Sequence, residues 1–429
     1  VPSSVRGGEA FVVVNNYRQN DYAPYLFHTT DYGRKWSRVV DQSDVPGYVL
    51  SFAQDPEESR LQFLGTEYGL YVSIDGGIKW TKWTNGFPTV STMDLVIHPR
   101  EPDLVIGSFG RSAFILDDIR PLRALAGDYV TVTSSSIYPV SPPEAYLVDY
   151  RNAPGYYFTG DAYFEGENRS FGSHISYFVR VEETEKETRK DSVVIEILDG
   201  EMKPVRTLKS VPVNGLNRTA WRLDRKGVRV SFSADEPDSE GNESGGGGMV
   251  LPGTYQVRMS FKGDTVWTSL VVKPDPRSFY DASGMAAKQE KADQLLGKME
   301  ELNGSLTRIR KCREGIDLVQ KLAGRESSDT LKAISERMEE QMNILAKSLF
   351  IDETIQGIYF PGDAIYVQFS EAYGILGATR PLTENQLAKH ALLIALADDA
   401  IERVNRFMEG VWAEYRDAVT REDIPLLGE

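Results

Sequence analysis

The chain has 429 residues, 41% hydrophobic and 26% charged, which is ordinary globular composition and room for about two to four domains. A formal net charge of −15 repels a phosphate backbone and argues against nucleic acid as the main partner. The sequence holds no apolar run long enough for a membrane span, no signal peptide, and one cysteine, Cys312, too few for an intrachain disulfide.

Residues 1–125 read as short strands joined by a recurring turn. Thr29-Thr30-Asp31-Tyr32-Gly33-Arg34-Lys35-Trp36 and Ser73-Ile74-Asp75-Gly76-Gly77-Ile78-Lys79-Trp80 share the pattern (Ser/Thr)-x-Asp-x-Gly-x-x-Trp, their aspartates 44 positions apart. An eroded third copy ends at Asp117-Asp118, with Asp118 43 positions after Asp75. A repeat of about 40–50 residues built of short strands signals β-propeller blades. The motif is the Asp-box. Its carboxylate accepts backbone N–H groups of a tight turn, its glycine supplies a positive φ, and its tryptophan packs between sheets. Thr29, Asp31, Gly33, Trp36, Ser73, Asp75, Gly77 and Trp80 are therefore expected to build structure and not to catalyse.

The middle repeat predicts strands at Val49–Gln54, Leu61–Leu64 and Gly69–Val72, then the Asp-box, then a fourth strand from Lys79. The next repeat predicts Met93–Ile97, Leu104–Ile106 and Ala113–Leu116 and lacks a fourth strand. The first lacks an innermost strand before Ala10–Asn15 and Tyr25–Phe27. About two and a half blades are thus expected, against about four to eight in a closed propeller. Missing N-terminal blades, from the same precursor or a second chain, become the first expected partner. The start at Val1, in place of Met, is read as processing or a fragment.

Residues 126–277 read as a β-sandwich, with strands at Ser176–Val181, Ser192–Leu198, Thr219–Leu223, Gly253–Phe261 and Val266–Lys273. The acidic stretch Asp235–Gly248 reads as a mobile loop and not as a calcium loop, because its spacing is not that of an EF-hand. Residues 278–429 turn to helical periodicity. Leu295, Leu302, Ile309 and Ile316 mark one helix, with Met299 and Leu306 beside them. Leu331, Ile334, Met338, Met342, Leu345 and Leu349 mark a second, and Leu387, Ile394, Ile401, Met408 and Tyr415 a long last one. A shorter helix is expected around Ile365–Leu376, the whole forming a small antiparallel bundle. Cys312 and His390 lie on apolar stripes and read as buried structural residues; Arg308, Arg310, Lys311 and Arg313 read as a solvated helix face.

The blades and the stretch from Gly107-Ser108-Phe109-Gly110-Arg111 to Leu116-Asp117-Asp118-Ile119 resemble sortilin-like (VPS10-type) or BNR-repeat propeller proteins, whose bacterial members are often labelled glycosyl hydrolases. The segment with Phe164-Glu165-Gly166-Glu167-Asn168, Gly215-Leu216-Asn217-Arg218, Trp221, Leu251-Pro252-Gly253-Thr254-Tyr255 and Lys273-Pro274-Asp275-Pro276-Arg277 resembles their Ig-like module. The resemblance implies the C-terminal part of an exported protein of a Bacteroidota-like bacterium, in the periplasm, on the outer-membrane surface or secreted. Asp191-Ser192-Val193, Asp264-Thr265-Val266 and Asp329-Thr330-Leu331 resemble the short O-glycosylation sequon of that group.

Two functions remain open at this point. One is a non-catalytic scaffold that binds a protein, peptide or glycan within a larger assembly. The other is a glycoside hydrolase with two carboxylates across a cleft, for which Asp94, Asp117 and Asp118 are the candidates. Asp117 is expected to pair with Arg111. Tyr156 and Tyr157, in a tyrosine-rich stretch, read as an interface against the propeller or a sugar platform. The four histidines show no metal spacing, and no metal or cofactor is expected.

Overall fold

The computed structural model describes residues 1–148, 169–181, 191–228, 246–323, 329–349, 365, 367–369, 372 and 380–421. They form two compact units. The first takes in the described residues of Val1–Ala145, Phe158–Arg222 and Gly253–Val272, and the second those of Tyr146–Tyr157, Leu223–Pro252 and Lys273–Glu429.

The first unit opens with three antiparallel sheets, each a meander in chain order. Sheet one is β1 (Ala10–Asn16), β2 (Asp21–Thr29) and β3 (Ser37–Arg38). Sheet two is β4 (Val49–Gln54), β5 (Gln62–Thr66), β6 (Gly69–Ser73) and β7 (Thr81–Lys82). Sheet three is β8 (Thr92–Ile97), β9 (Leu104–Ser108) and β10 (Ala113–Leu116). Burial explains the stack. Every residue of β5 and β6 is buried. Phe11 and Leu26 of sheet one meet Phe52, Leu64, Tyr71 and Trp80 on one side of sheet two. On the other side, Phe63, Leu70 and Val72 meet Leu95, Leu104 and Ile106 of sheet three. Consecutive meanders stacked in this way are propeller blades, and together they make a partial propeller.

Sheets two and three approach through bare backbone. Ser51 Oγ donates to Thr92 O at 3.1 Å across the gap. A methyl group on Gly65 would stand 2.1 Å from Ser51 Oγ and 2.6 Å from Thr92 O.

Two short helices, α1 (Arg120–Gly127) and α2 (Tyr129–Ser134), follow the blades. Strand alternation does not signal them. Their marks are Pro121 in the first turn of α1 and Asp128, whose Oδ1 accepts from Thr131 N at 3.0 Å to cap α2.

The remaining strands are β11 (Ile137–Pro139), β12 (Ala145–Leu147), β13 (Ser173–Val179), β14 (Val193–Leu198), β15 (Pro204–Ser210), β16 (Gly215–Trp221), β17 (Asp224–Lys226), β18 (Gly246–Met249), β19 (Gly253–Phe261) and β20 (Asp264–Pro274). Within the first unit they form a β11-β13-β16 sheet and a β20-β19-β14-β15 arrangement. Trp221 meets Tyr255 edge-on at 5.5 Å, joining the two. The β19–β20 turn uses Lys262 and Gly263, both at positive φ, as a two-residue hairpin requires. Most of the acidic stretch 235–248 lies outside the described residues; its last glycines enter β18, which pairs with β17.

In the second unit, α3 (Ala282–Ala323) buries Leu295, Met299, Leu302, Leu306, Ile309 and Ile316, as its seven-residue spacing demands. Cys312 is buried among them, and burial pushes its thiol up to about 11. The other helices are α4 (Asp329–Leu349), α5 (Glu384–Glu409) and α6 (Val411–Arg421).

Two details of the last helix correct the sequence expectation. The long last helix breaks at Gly410 into α5 and α6. On α5, Leu393, Ala397, Ala400, Val404 and Phe407 are buried and Ile394, Ile401 and Met408 pack against them, while Leu387 is exposed. Side-chain pairs give the helix directions. Lys291 pairs with His390, Lys298 with Asp398 and Arg308 with Asn405, so α3 and α5 run parallel. Arg313 with Asn343 and Gln320 with Glu339 set α3 and α4 antiparallel. Consecutive helices therefore alternate in direction, α3 and α5 running one way and α4 the other. Most of the expected helix around 365–376 lies outside the described residues, although Ile365, Phe369 and Ala372 are buried. Arg308 is tied to Ser305 and Asn405 and is not simply solvated. Half-burial lowers the His390 imidazole from its ordinary range, and its Nε2 lies 3.0 Å from Lys291 O.

The Gly65 contact yields a test. Gly65→Ala is expected to cost about 1–3 kcal/mol, because the added methyl meets the Thr92 carbonyl and displaces the Ser51 hydroxyl that bonds it. Urea unfolding monitored by tryptophan fluorescence measures the loss; an unchanged midpoint contradicts the close approach.

Candidate binding face at the turn end of the blades

The sheets have two chemically different ends. At one end lie the Asp-box turns. Asp31 Oδ1 accepts from Lys35 N at 2.9 Å and Thr29 Oγ1 at 2.9 Å, and Thr29 Oγ1 accepts from Gly33 N at 3.1 Å. These bonds, that from the Lys35 amide first, hold the Asp31 carboxyl below its usual range. Asp75 Oδ1 accepts from Ile78 N at 3.1 Å, Lys79 N at 3.0 Å and Ser73 Oγ at 2.7 Å, while Ser73 Oγ accepts from Gly77 N at 2.9 Å. The tryptophans differ. Trp80 is only 5% exposed, in the core between sheets one and two. Trp36 is 42% exposed and donates Nε1 to Gly33 O at 3.1 Å. Sheet one has a packed neighbour on one side only among the described residues, so Trp36 covers its own turn.

The carboxylates proposed for hydrolysis do not converge. Asp118 is buried with φ +54; its N–H donates to Asp103 Oδ1 at 2.8 Å, and its Oδ1 accepts from Arg120 N at 3.3 Å. It also pairs with Arg120 at 3.3 Å and Arg218 at 3.8 Å. Asp117 lies 3.7 Å from Arg169, which also bonds Asp103 at 3.0 Å. These ion pairs fasten sheet three to the β13–β16 side of the same unit. The expected Arg111–Asp117 pair does not form. Arg111 sits in the β9–β10 turn, and β10 carries the chain about 13 Å away before Asp117. Asp94, on β8, turns Oδ1 to Leu95 N at 2.9 Å. Tyr156 and Tyr157 lie outside the described residues. No group of three or more His, Cys, Asp or Glu side chains among the described residues is placed to hold a metal ion.

The opposite end of the blades is aromatic. Tyr17 and Tyr22 flank the β1–β2 turn, Tyr48 precedes β4, and Glu67 and Tyr68 form the β5–β6 turn. Tyr17 stacks on Tyr48 at 4.8 Å with planes 20° apart, and Tyr22 lies 6.2 Å from Tyr48. Tyr22 and Tyr68 are 50% and 45% exposed. The Tyr48 phenol is raised above its ordinary range, first by burial and then by Glu67, Tyr17, Tyr22 and Tyr68 around it.

Backbone bonds fix the cluster. Glu67 N donates to Tyr48 O at 3.1 Å, Ser91 Oγ to Glu67 O at 3.2 Å, and Phe109 N to Ser91 O at 2.9 Å. Phe109 itself is 76% exposed. Gly47 at φ +83 lets the Tyr68 ring lie over it; a methyl group there would meet Tyr68 Cδ2 at 2.7 Å. These tyrosines are scattered in sequence and carry no motif, so only the stacking of the sheets reveals them.

No protein-family profile and no curated protein sequence matches the chain. The sortilin-like and BNR resemblance therefore rests on the motif residues alone. Among solved structures, the chain is similar to an ancestral GH74 enzyme, at 12% identity and a TM-score of 0.21, over 63% of this chain and 30% of that one. It is similar to the GH74 xyloglucanase from Xanthomonas campestris at 14% identity and a TM-score of 0.22, over 65% of this chain and 38% of the other. The match spans well under half of either protein, and scores this low support no conclusion about this chain.

The two ends should respond differently to mutation. Asp75→Ala strips acceptors from two backbone amides and is expected to cost about 1–3 kcal/mol. Tyr68→Ala removes a half-exposed ring and is expected to stay within about 1 kcal/mol. Thermal unfolding of both variants checks the order; a larger loss for Tyr68→Ala contradicts it.

Proposed function

We propose that the chain belongs to an exported, non-catalytic scaffold that binds a protein, peptide or glycan ligand through its blades, within a larger assembly. The observation that supports this most is the occupation of the carboxylates. Asp31 and Asp75 hold turns, Asp118 is buried between two arginines, and Asp117 faces Arg169. A glycosidase acid needs a raised pKa and a partner carboxylate at about 5–9.5 Å across an open cleft. Asp117 and Asp118 are instead engaged by Arg169, Arg120 and Arg218. A sugar-cleaving role, as named for the GH74 neighbours, finds no further support in Asp94, Asp117 or Asp118.

The assembly part of the proposal rests on the outer faces of the stack. On sheet one, Val12 pairs with Phe27 and Val14 with Tyr25, and both valines are exposed. On sheet three, Val96 and Ile115 each pair with Val105, and both are exposed. Two such apolar faces suit further sheets of the same kind, the missing blades of the sequence reading. In this proposal the β11–β20 strands are the Ig-like module that braces the blades.

Full-length protein assayed on a glycan panel should release no reducing sugar and should co-purify with a stable partner. Val12→Asp with Ile115→Asp should abolish assembly with the remaining blades while each variant stays folded. Sustained turnover that is lost on replacing a cleft carboxylate overturns the scaffold reading.

A further inference from the structure

We infer that the tyrosine cluster around Glu67 is a binding site for a cationic side chain, a lysine or arginine presented by a peptide or protein ligand. This rests on the scaffold reading above and names the chemistry of its ligand. Three observations carry it.

The first is the state of Glu67. Its carboxylate is half-buried, Oε2 is shut off from solvent, and that oxygen accepts no hydrogen bond. No ion pair reaches Glu67 among the described residues, whereas at the opposite end of the same sheet Glu58 is paired with Arg60 and Asp55 with Arg123. An anion partly withdrawn from water and left without a partner is costly, and a cation is the group that relieves it.

The second is what surrounds it. The electron-rich rings of Tyr17 and Tyr22 lie against Tyr48, Tyr68 and Glu67 Oε2 both close over Gly47 beside it, and all four neighbours raise the Tyr48 phenol after burial does. The ring faces are negative, so they attract a cation and reinforce the carboxylate. The same face already shows the interaction, with the Arg18 guanidinium 5.8 Å from the centre of the Tyr17 ring.

The third is placement. The site stands on the β5–β6 turn of the doubly buried sheet, held by bonds from Ser91 and to Tyr48, so it is preorganised. The chain's net charge of −15 draws a basic ligand towards it at long range. A neutral sugar could stack on the rings and donate hydroxyls to the carboxylate, but only a cation also neutralises its charge.

The probes are blocked tripeptides Gly-Arg-Gly and Gly-Lys-Gly, with Gly-Gln-Gly and maltose as neutral controls. Each is titrated into the whole chain, following tyrosine ring signals by NMR at low salt. The cationic peptides should bind saturably and the neutral probes should not. Glu67→Gln should weaken binding about tenfold or more. Tyr48→Leu should weaken it similarly, and Tyr48→Phe, which keeps the ring, should stay within about threefold. Melting curves matching the parent's confirm that the Glu67→Gln and Tyr48→Phe variants fold. Equal binding of Gly-Gln-Gly, no saturable binding at all, or an unchanged Glu67→Gln variant overturns the inference. Maltose binding at these residues with silent cationic peptides also overturns it, and leaves the scaffold reading standing. The scaffold reading falls only to turnover, which these titrations do not measure.

Discussion

Burial of sheet two on both faces is the constraint from which the rest of the first unit follows. Phe63 and Leu64 are neighbours on β5 whose side chains point to opposite faces, and both are fully buried. Phe63 lies in the core shared with sheet three, and Leu64 in the core shared with sheet one. Each such side chain contributes about 1.5–3 kcal/mol when removed from water. The gain requires both flanking sheets to seat closely, and Gly65 permits this on one side by presenting no side chain to Ser51 and Thr92. A stack so fixed also fixes its turns. The β5–β6 turn stands beside Tyr17 and Tyr48 on one flank and Ser91 on the other because the strands beneath it cannot slide.

The two ends of the stack divide the work. At the Asp-box end, carboxylates satisfy backbone amides, and Arg123 and Arg60 of the same unit tie α1 and the β4–β5 turn to it. Some buried polar atoms there still lack a hydrogen-bond partner, among them Gln62 Oε1, Trp80 Nε1 and Asp118 Oδ2, the last within an ion pair with Arg218. At the opposite end, rings stand half in solvent around a carboxylate that lacks one. What sets the aromatic end apart is a carboxylate with no ion pair among the described residues beside aromatic faces, an arrangement suited to a ligand.

Much of this architecture was legible in the sequence, for local reasons. The Asp-box states its turn in eight residues, since aspartate, glycine and tryptophan act within that turn. The seven-residue spacing of α3 likewise names its buried face. Legibility failed where partners are distant. The pairing of Asp117 with Arg169 in place of Arg111 depends on which end of the β9–β10 hairpin each residue occupies. Tyr17, Tyr22, Tyr48 and Tyr68 look like unrelated turn residues until the sheets stack, and Glu67 looks like any turn glutamate. The Trp36 side chain departed from expectation because its packing needs a second sheet on its flank, whereas the turn it closes does not.

Site-specific photo-crosslinking tests most directly which end of the blades holds the ligand. A photoreactive phenylalanine analogue placed at Tyr68 probes the aromatic end, and the same group at Tyr32, exposed within an Asp-box turn, probes the other. Illumination of the full-length protein in its own cells should give a discrete, competable adduct from position 68 and none from position 32. A discrete adduct from position 32 with none from position 68 would reverse the assignment of the two ends.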